Sequence, residues 1–418
     1  MPTHASESWS CPECGAETPV GEGLSRWCDK CNWNVEPYTR DEESFLARQY
    51  AQIGRRRGAR ILQKLVAAPV DALKPRLTAS KVTALCVAIA VHGSSLVVFG
   101  LGLLLIVNYF PHVLAVALGI ALCGLAWFLL PSFGKLPDDV LPQSEFTALY
   151  TLVNDVAREL SGQPINNIVV DETFNAGYAT VGWRRIPVLW LGLPFWMSLR
   201  PQERVALLGH EIAHGVNGYS TRGGVIGTAL HTLDTWIALL RANAFPSTEA
   251  SDVFSRAATW ALSLPIAALQ TFLAHLLWYD KQKAEFLADY LGATVAGTPA
   301  TIGALTKTSL SGHFDDFLLR RIYSSTQSGQ QVLEQFREKI AELPEREMER
   351  VRRAAKLEGA RLDSTHPPTV HRMAFLLAHE VSKPRLVADD ATVRSIDLEL
   401  QRLEERLGDR LIAKFANE

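Results

Sequence analysis

Two histidines four residues apart are the side chains in this sequence best suited to chemistry. They frame the stretch His210-Glu-Ile-Ala-His214, and an α-helix places residues at this spacing on one face. Two imidazoles so placed can bind one metal ion, while Glu211, one step around the helix, can reach a water molecule beside it. The alternative is a surface helix with two incidental histidines, but apolar neighbours favour a buried helix. Those neighbours are Val205, Ala206, Leu207, Leu208, Ile212 and Val216.

A catalytic zinc site needs a third protein ligand and one open coordination position. Downstream, Glu285-Phe-Leu-Ala-Asp289 lies in a stretch with helical character. Glu285 can supply the third ligand, and Asp289, one turn later, can accept the N–H of a ligating histidine and fix its tautomer. Alone, this pattern is also an ordinary acidic helix face. After the histidine pair it becomes considerably more specific.

A third group of polar residues follows as Thr365-His366-Pro-Pro, with Arg372 six residues after His366. A histidine and an arginine close to a metal ion can stabilise the oxyanion of a tetrahedral intermediate. The alternative for both side chains is a capping and salt-bridging role.

Four of the six cysteines form two Cys-x-x-Cys pairs, Cys11 with Cys14 and Cys28 with Cys31. Two such turns can place four thiolates tetrahedrally around one Zn²⁺ ion, which leaves no open position and therefore indicates a structural site. Disulfides or a redox pair are the alternatives. The polar opening Met1–Ser10 lacks the apolar core of a signal peptide, so we expect no cleavable signal and a reducing compartment. The sequence therefore predicts a zinc ribbon.

Residues 82–134 contain no Asp, Glu, Lys or Arg. Two apolar runs, Val82–Val107 and Val113–Leu130, are separated by a short polar and aromatic turn, and about 20 residues suffice to cross a hydrocarbon core. This pattern predicts a transmembrane helical hairpin, and the alternative is a buried hairpin of a soluble bundle.

The segment before the hairpin is basic. Between Arg48 and Lys81 there are nine Lys or Arg residues and one acid, Asp71. A nucleic-acid-binding arm is one interpretation, but the adjacent apolar run favours a juxtamembrane segment, and the net charge of −2 excludes a generally basic nucleic-acid binder. The positive-inside rule then places the ribbon, and the chain after the hairpin, on the cytoplasmic side.

From about Pro142 the composition is typical of a mixed globular domain, so we predict a mainly helical α+β fold with a small three-stranded sheet. The predicted strands are Ile165–Asp171, Ala176–Trp183 and Ile186–Leu191. The predicted helices are Gln143–Leu160, a helix from Pro201, Ser328–Leu362 interrupted at Pro344, and Asp389–Phe415.

Two later segments, 223–240 and 257–279, are apolar enough to raise the question of further membrane crossings. His214 and Glu285 must meet one ion on one side, so the number of crossings between them is zero or two. The first segment contains Asp234, which is costly at the middle of a membrane. We therefore expect two helices packed over the active site or half-embedded in the cytoplasmic leaflet.

The three motifs, in this order, resemble the membrane-bound gluzincin zinc metallopeptidases, the family of the HtpX heat-shock protease and the CAAX prenyl endopeptidase. The resemblance covers about Leu141 to Leu377 and the hairpin, and it implies a gluzincin-type peptidase domain. It also implies these roles: zinc ligands His210, His214 and Glu285; general base Glu211; histidine partner Asp289; transition-state stabilisers His366 and Arg372; substrate-pairing edge strand Asn175-Ala176.

We expect five parts in the chain. They are a zinc ribbon (1–38), a basic juxtamembrane helical segment (39–81), a transmembrane hairpin (82–134), a metallopeptidase domain (140–381) and a C-terminal amphipathic helix (382–418). The expected function is that of a membrane-anchored zinc endopeptidase with one catalytic and one structural zinc ion, which acts on polypeptides and takes part in membrane-protein quality control. The partners expected are polypeptide substrates, including membrane proteins, and the lipid bilayer; no nucleic acid is expected.

The alternative function is a non-catalytic membrane adaptor that keeps the fold and recruits partners through its ribbon. The complete set of ligands and the base weighs against it. Because the ribbon is distant in sequence from the histidines, we also expect that replacing Cys11 and Cys14 with Ser removes one zinc ion and leaves peptidase activity largely intact.

Overall fold

The computed structural model describes residues 7–20, 26–35, 45–130, 134–217, 224–241, 250–322, 328–358 and 366–416. The fold is mainly helical with two small sheets. The predicted end of the ribbon at residue 38 and Thr365 lie outside the described residues. The strands are β1 (Glu7–Ser10), β2 (Glu17–Val20), β3 (Ile168–Asp171), β4 (Ala176–Val181) and β5 (Ile186–Gly192). The helices are α1 (Phe45–Ala67), α2 (Ala79–Tyr109), α3 (Val113–Phe128), α4 (Thr147–Glu159), α5 (Leu193–Ser198), α6 (Pro201–Val216), α7 (Val225–Arg241), α8 (Ala250–Ala296), α9 (Thr298–Thr308), α10 (Ser311–Ile322), α11 (Gly329–Ala341), α12 (Glu345–Glu358), α13 (Thr369–Ala378) and α14 (Asp390–Ala416).

The predicted apolar hairpin is present as α2 and α3, which pack against each other. A Cβ atom on Gly102 would lie 2.7 Å from the carbonyl oxygen of Gly119, so these two glycines allow the helix backbones to approach closely. Many large apolar side chains of both helices face outward, as on helices surrounded by lipid. Two helices of the described chain, Ala79–Tyr109 and Ser255–Ala296, are long and apolar enough to cross a membrane.

The helix α8 joins the apolar region to the motif that contains Glu285. It is one continuous helix of 47 residues, although Pro265 lies within it. At one end of the bundle, Lys81 of α2 approaches Asp280 of α8 at 3.8 Å. From Lys81, α2 continues for 28 residues, about 42 Å, to Tyr109. From Asp280, α8 runs back over a similar length to its first residues near Ala250.

Helices α7 and α8 pack against each other and against the first half of α2. The Arg241 side chain at the end of α7 donates to Ser263 at 3.0 Å, and Gln270 donates to Asp234 at 2.8 Å, so α7 and α8 are antiparallel. A shared buried cluster ties the three helices together. It contains Ala84, Ala88 and Val91 of α2, Ala229 and Leu233 of α7, and Leu273 and Leu277 of α8. Whether the pair crosses the membrane stays a prediction.

The predicted three-stranded sheet is present, in the order β3-β5-β4. Strand β5 pairs in parallel with β3 and antiparallel with β4, which leaves β4 at an edge. The main hydrophobic core lies between this sheet and the helices α4, α5, α6, α11 and α14. The apolar stripe of the C-terminal segment is buried in it, so that stripe is a packing face, as the sequence suggests. Its core residues are Ile396, Leu400, Leu403, Leu407 and Leu411.

Candidate metal centres

Helix α6 begins at Pro201, as its sequence predicts. Pro201 occupies the first turn, where its missing N–H costs nothing, and the Glu203 carboxylate accepts the backbone N–H of Arg200 at 2.7 Å. Lys307 of α9 donates to the same carboxylate at 2.6 Å. These contacts fix the start of the helix that contains both histidines.

Two glycines bring α6 against α8 beside the histidines. A Cβ atom on Gly209 would lie 2.9 Å from the Cα atom of Gly292, so the two backbones touch there. The contact lies one residue before His210 and three after Asp289. Sequence reasoning missed both positions; the available signal is a glycine inside a helix, which costs about 1 kcal/mol relative to alanine and so calls for a packing reason.

The three predicted ligands converge. The Nε2 atoms of His210 and His214 are 3.2 Å apart, and each lies 3.6 Å from an oxygen of Glu285. A tetrahedral zinc site with bonds of about 2.1 Å has ligand atoms roughly 3.4 Å apart, so these separations fit zinc, and three protein ligands leave the fourth tetrahedral position for water. His210 and Glu285 are buried, and His214 is half-buried.

Asp289 and Arg372 stand behind His210. The Asp289 carboxylate lies 2.9 Å from Nδ1 of His210, and Arg372 donates to both of its oxygens at 2.6 and 2.8 Å. Arg372 therefore forms the salt bridge that was the alternative to a catalytic role. Its contact with a transition state stays a prediction. Burial lowers the pKa of His210, but the Asp289 carboxylate outweighs burial and raises that pKa above its ordinary value. For His214, burial wins and lowers the pKa.

His366 reaches the centre from the opposite side. Its Nδ1 atom lies 2.7 Å from the Glu285 carboxylate, and its side chain is 49% exposed. The structure therefore brings His366 next to a predicted ligand and leaves it accessible to a substrate. Its role in transition-state stabilisation stays a prediction.

Asn175 and Ala176 lie at the start of β4, the predicted edge strand. The Asn175 carbonyl accepts the N–H of Gly192 at 2.8 Å, which fixes the beginning of the strand against β5. Within the described residues, β4 pairs with no strand on its other side. Tyr178 of β4 lies against Gly215, beside the second histidine, where a Cβ atom would be 2.6 Å from the phenol ring.

The four cysteines also converge, in the antiparallel β1–β2 unit and the turn that follows. The Sγ atoms of Cys11 and Cys31 are 3.6 Å apart, as are those of Cys14 and Cys28. A disulfide would require about 2.05 Å, whereas sulfurs around a zinc ion with 2.3 Å bonds lie roughly 3.8 Å apart. The donor set therefore fits a tetrahedral metal ion.

The thiols of this cluster differ in acidity. The backbone N–H of Cys31 lowers the pKa of Cys28 to about 7, whereas burial and the neighbouring thiols raise the pKa of Cys31 to about 12. A metal binds thiolates, and four thiolates in one small space require a cation to balance them.

A comparison with protein-family models matches residues 147–380 to the model described as Peptidase family M48. This range covers more than half of the chain and includes both histidines, Glu285, Asp289 and Arg372.

Curated proteins of similar sequence carry the name Protease HtpX. Those of Pseudomonas entomophila and Pseudomonas putida are each 27% identical over 165 residues, which is 38% of this chain and 55% of theirs. That of Pseudomonas fluorescens is 27% identical over 161 residues, 37% of this chain and 53% of its own length. The chain therefore spans about half the length of the curated relatives it matches. No solved structure matches.

Proposed function

Because the chain belongs to peptidase family M48, we propose that it is a zinc-dependent endopeptidase of the HtpX type, anchored in the cell membrane. The observation that carries the proposal is the convergence of His210, His214 and Glu285: the two Nε2 atoms lie 3.2 Å apart, and each lies 3.6 Å from a different oxygen of the Glu285 carboxylate. The non-catalytic adaptor remains the rival.

In this function each side chain has a separate task. A zinc ion held by the three ligands would polarise the scissile carbonyl and activate water. Glu211, buried beside the ligands, takes the proton of the attacking water and passes it to the leaving amine. Asp289 and Arg372 hold the His210 ring by the contacts already described, and His366 can donate to the oxyanion from the accessible side.

The open edge of β4 supports a polypeptide substrate. An extended peptide can add to a free strand edge through main-chain hydrogen bonds, and Asn175 and Ala176 begin that edge. The continuous helix α8 places the metal centre within a few turns of the apolar bundle. This supports substrates that are membrane proteins and a part in their quality control.

We also propose that each chain binds two zinc ions, one in each centre. The boundaries that we propose for the five parts of the chain are those predicted from the sequence. The basic segment, which contains Arg55, Arg56 and Arg57 as exposed residues of α1, supports a cytoplasmic position for both metal centres.

For the membrane topology we propose two helical hairpins, α2–α3 and α7–α8. The antiparallel pairing of α7 with α8, their shared buried cluster with α2, and the length and apolar character of α8 support this arrangement over the half-embedded one expected from the sequence. A cysteine introduced at Ser247 should react with a membrane-impermeant reagent applied outside intact cells. Protection from outside, with labelling only after lysis, would favour the half-embedded arrangement.

The function is tested by Glu211→Gln, measured by cleavage of a fluorogenic peptide or casein with and without chelator. Since the base is lost and the ligands remain, activity should fall about 10²–10⁴-fold while the catalytic zinc stays bound. An unchanged rate in this variant would contradict the mechanism. A wild-type protein that binds zinc and cleaves nothing would support the adaptor.

A further inference from the structure

The ribbon lies against α12, and its tryptophan makes the central contact. Trp27 is 2% exposed. The guanidinium carbon of Arg346 lies 4.5 Å from the centre of the indole, and that of Arg353 lies 5.4 Å from it. Two cations on one ring at these distances each contribute a favourable cation–π interaction.

A row of arginines on α12 binds the backbone of the ribbon. Arg346 donates to the Trp27 carbonyl at 2.9 Å, Arg350 donates to the Val35 carbonyl at 2.8 Å, and Arg353 donates to the Asp29 carbonyl. Positions 346, 350 and 353 share one face of a helix. The face of α12 that carries these three arginines therefore binds the ribbon.

The carbonyls that these arginines bind lie in the same short turn as two of the cysteines. Cys28 and Cys31 fall between Trp27 and Val35, and the unit is too small to fold on an apolar core alone. A metal ion that holds the two cysteines therefore also holds the acceptor groups in position. Without the ion, the ribbon carbonyls that these arginines bind have no fixed position.

Helix α12 also connects the ribbon to the elements that support the histidine centre. Arg350 also donates to Glu347 at 2.7 Å, and His313 of α10 lies 2.6 Å from the same carboxylate oxygen, which fixes α12 in the fold. Helix α12 packs against α13. Helix α13 contains Arg372, whose bidentate contact with Asp289 supports the His210 ring.

We propose that the metal-loaded ribbon is an integral support of the histidine centre, and that Arg346, Arg350 and Arg353 are the positioning residues that connect the two. The support acts through α12 and α13. The catalytic part of this inference rests on the proposed function; the structural part does not. It also revises the expectation that the ribbon can lose its metal with little effect on activity.

The test compares Arg346→Gln/Arg353→Gln with the control Arg352→Gln in the full-length protein. Arg352 is on the same helix but bonds Glu345 and Glu349 of its own helix. We measure zinc per chain, hydrogen–deuterium exchange of α12 and α13, and kcat and KM. A third variant, Cys28→Ser/Cys31→Ser, removes the ribbon metal directly, and Arg346→Lys/Arg353→Lys tests rescue by charge.

We expect faster exchange in α12 and α13 for the glutamine pair and for the cysteine pair, with wild-type exchange in the control. The value of kcat should fall roughly tenfold, the lower range for loss of an outer support of a metal ligand, with KM unchanged and the catalytic zinc retained. The lysine pair should recover part of kcat.

Wild-type exchange in α12 and α13 after loss of the ribbon metal would overturn the proposal. An unchanged kcat in the glutamine pair and in the cysteine pair, when the wild type is active, would also overturn it. If the wild type cleaves nothing, the proposed function fails while the exchange measurement still decides the structural link.

Discussion

The two metal centres of this molecule are built in opposite ways. The cysteine centre takes four like donors from one short segment, residues 11–31, and these four donors would fill every position of a tetrahedral ion. The histidine centre takes three donors from α6 and α8, with Glu285 lying 71 and 75 positions after the two histidines, and three donors leave one tetrahedral position for water. The first is a closed site of local origin; the second is an open site that exists only when two helices pack.

This difference explains what each centre needs from the rest of the fold. Spacing alone brings the four cysteines together, so little else is required. The histidine centre needs the glycine contact between α6 and α8, the Asp289 and Arg372 pair and the capped start of α6. A change far from the histidines can therefore damage the open site, whereas the closed site is vulnerable mainly at its own cysteines.

The largest effect that separates the two centres is expected from His210→Ala. This variant should lose the catalytic zinc and peptidase activity, by about 10³-fold or more, because two ligands do not hold a catalytic ion well. The zinc content per chain should fall by one ion, since the cysteine centre is unaffected. The control is His231→Ala, an exposed histidine on α7. Loss of both ions would show that the two centres fold together.

The next effect is expected from Gly209→Ala. The added Cβ atom would meet the Cα atom of Gly292 at 2.9 Å, and backbone cannot move away cheaply. We expect a loss of about 1–3 kcal/mol in stability from overpacking, and a fall in activity of roughly 100-fold because the ligands separate. The matched control is Gly100→Ala in α2, where an added Cβ atom meets nothing within 4 Å. Equal activity in the two variants would contradict this account.

A smaller effect is expected from Asp289→Asn. The amide oxygen can still accept from His210, but the charge that pairs with Arg372 is lost. Outer contacts of this kind are worth about 10–100-fold in metal affinity or activity, so we expect roughly a tenfold weaker zinc affinity at the histidine centre. Titration with a competing chelator measures it. A matching loss at the cysteine centre would show that the effect is not local.

The same difference decides how much could be predicted from the sequence. The cysteine centre, the His210–His214 pair and the apolar hairpin each lie within one short stretch of the chain, so residue spacing and composition were enough to predict them. The pairing of Arg372 with Asp289, the role of Gly209 and the row of arginines beneath the ribbon depend on contacts between elements distant in the chain. Arg346, Arg350 and Arg353 read as an ordinary charged helix face, because nothing in their spacing identifies Trp27 as a partner.

The smallest effect concerns Glu347, which lies on α12 between the two centres. Glu347 is 2% exposed, and burial raises its pKa, but hydrogen bonds from His313 and Arg350 outweigh burial and hold the pKa below the ordinary 4.5. Because the folded-state pKa is depressed, the carboxylate stabilises the fold above pH 4.5, and this contribution is lost as the pH falls through the folded-state value.

We therefore expect Glu347→Gln to lower the free energy of unfolding at pH 7 by about 1–3 kcal/mol, since a buried charged partner is removed. The variant should also lose this part of the acid sensitivity below pH 4.5, because the amide does not titrate. Denaturant unfolding at pH 7 and pH 4 measures both, with the exposed Glu342→Gln as control. If Glu347→Gln and wild type lose stability in parallel as the pH falls, the Glu347 carboxylate does not hold α12 as described, and the link between the two centres must depend on the arginines alone.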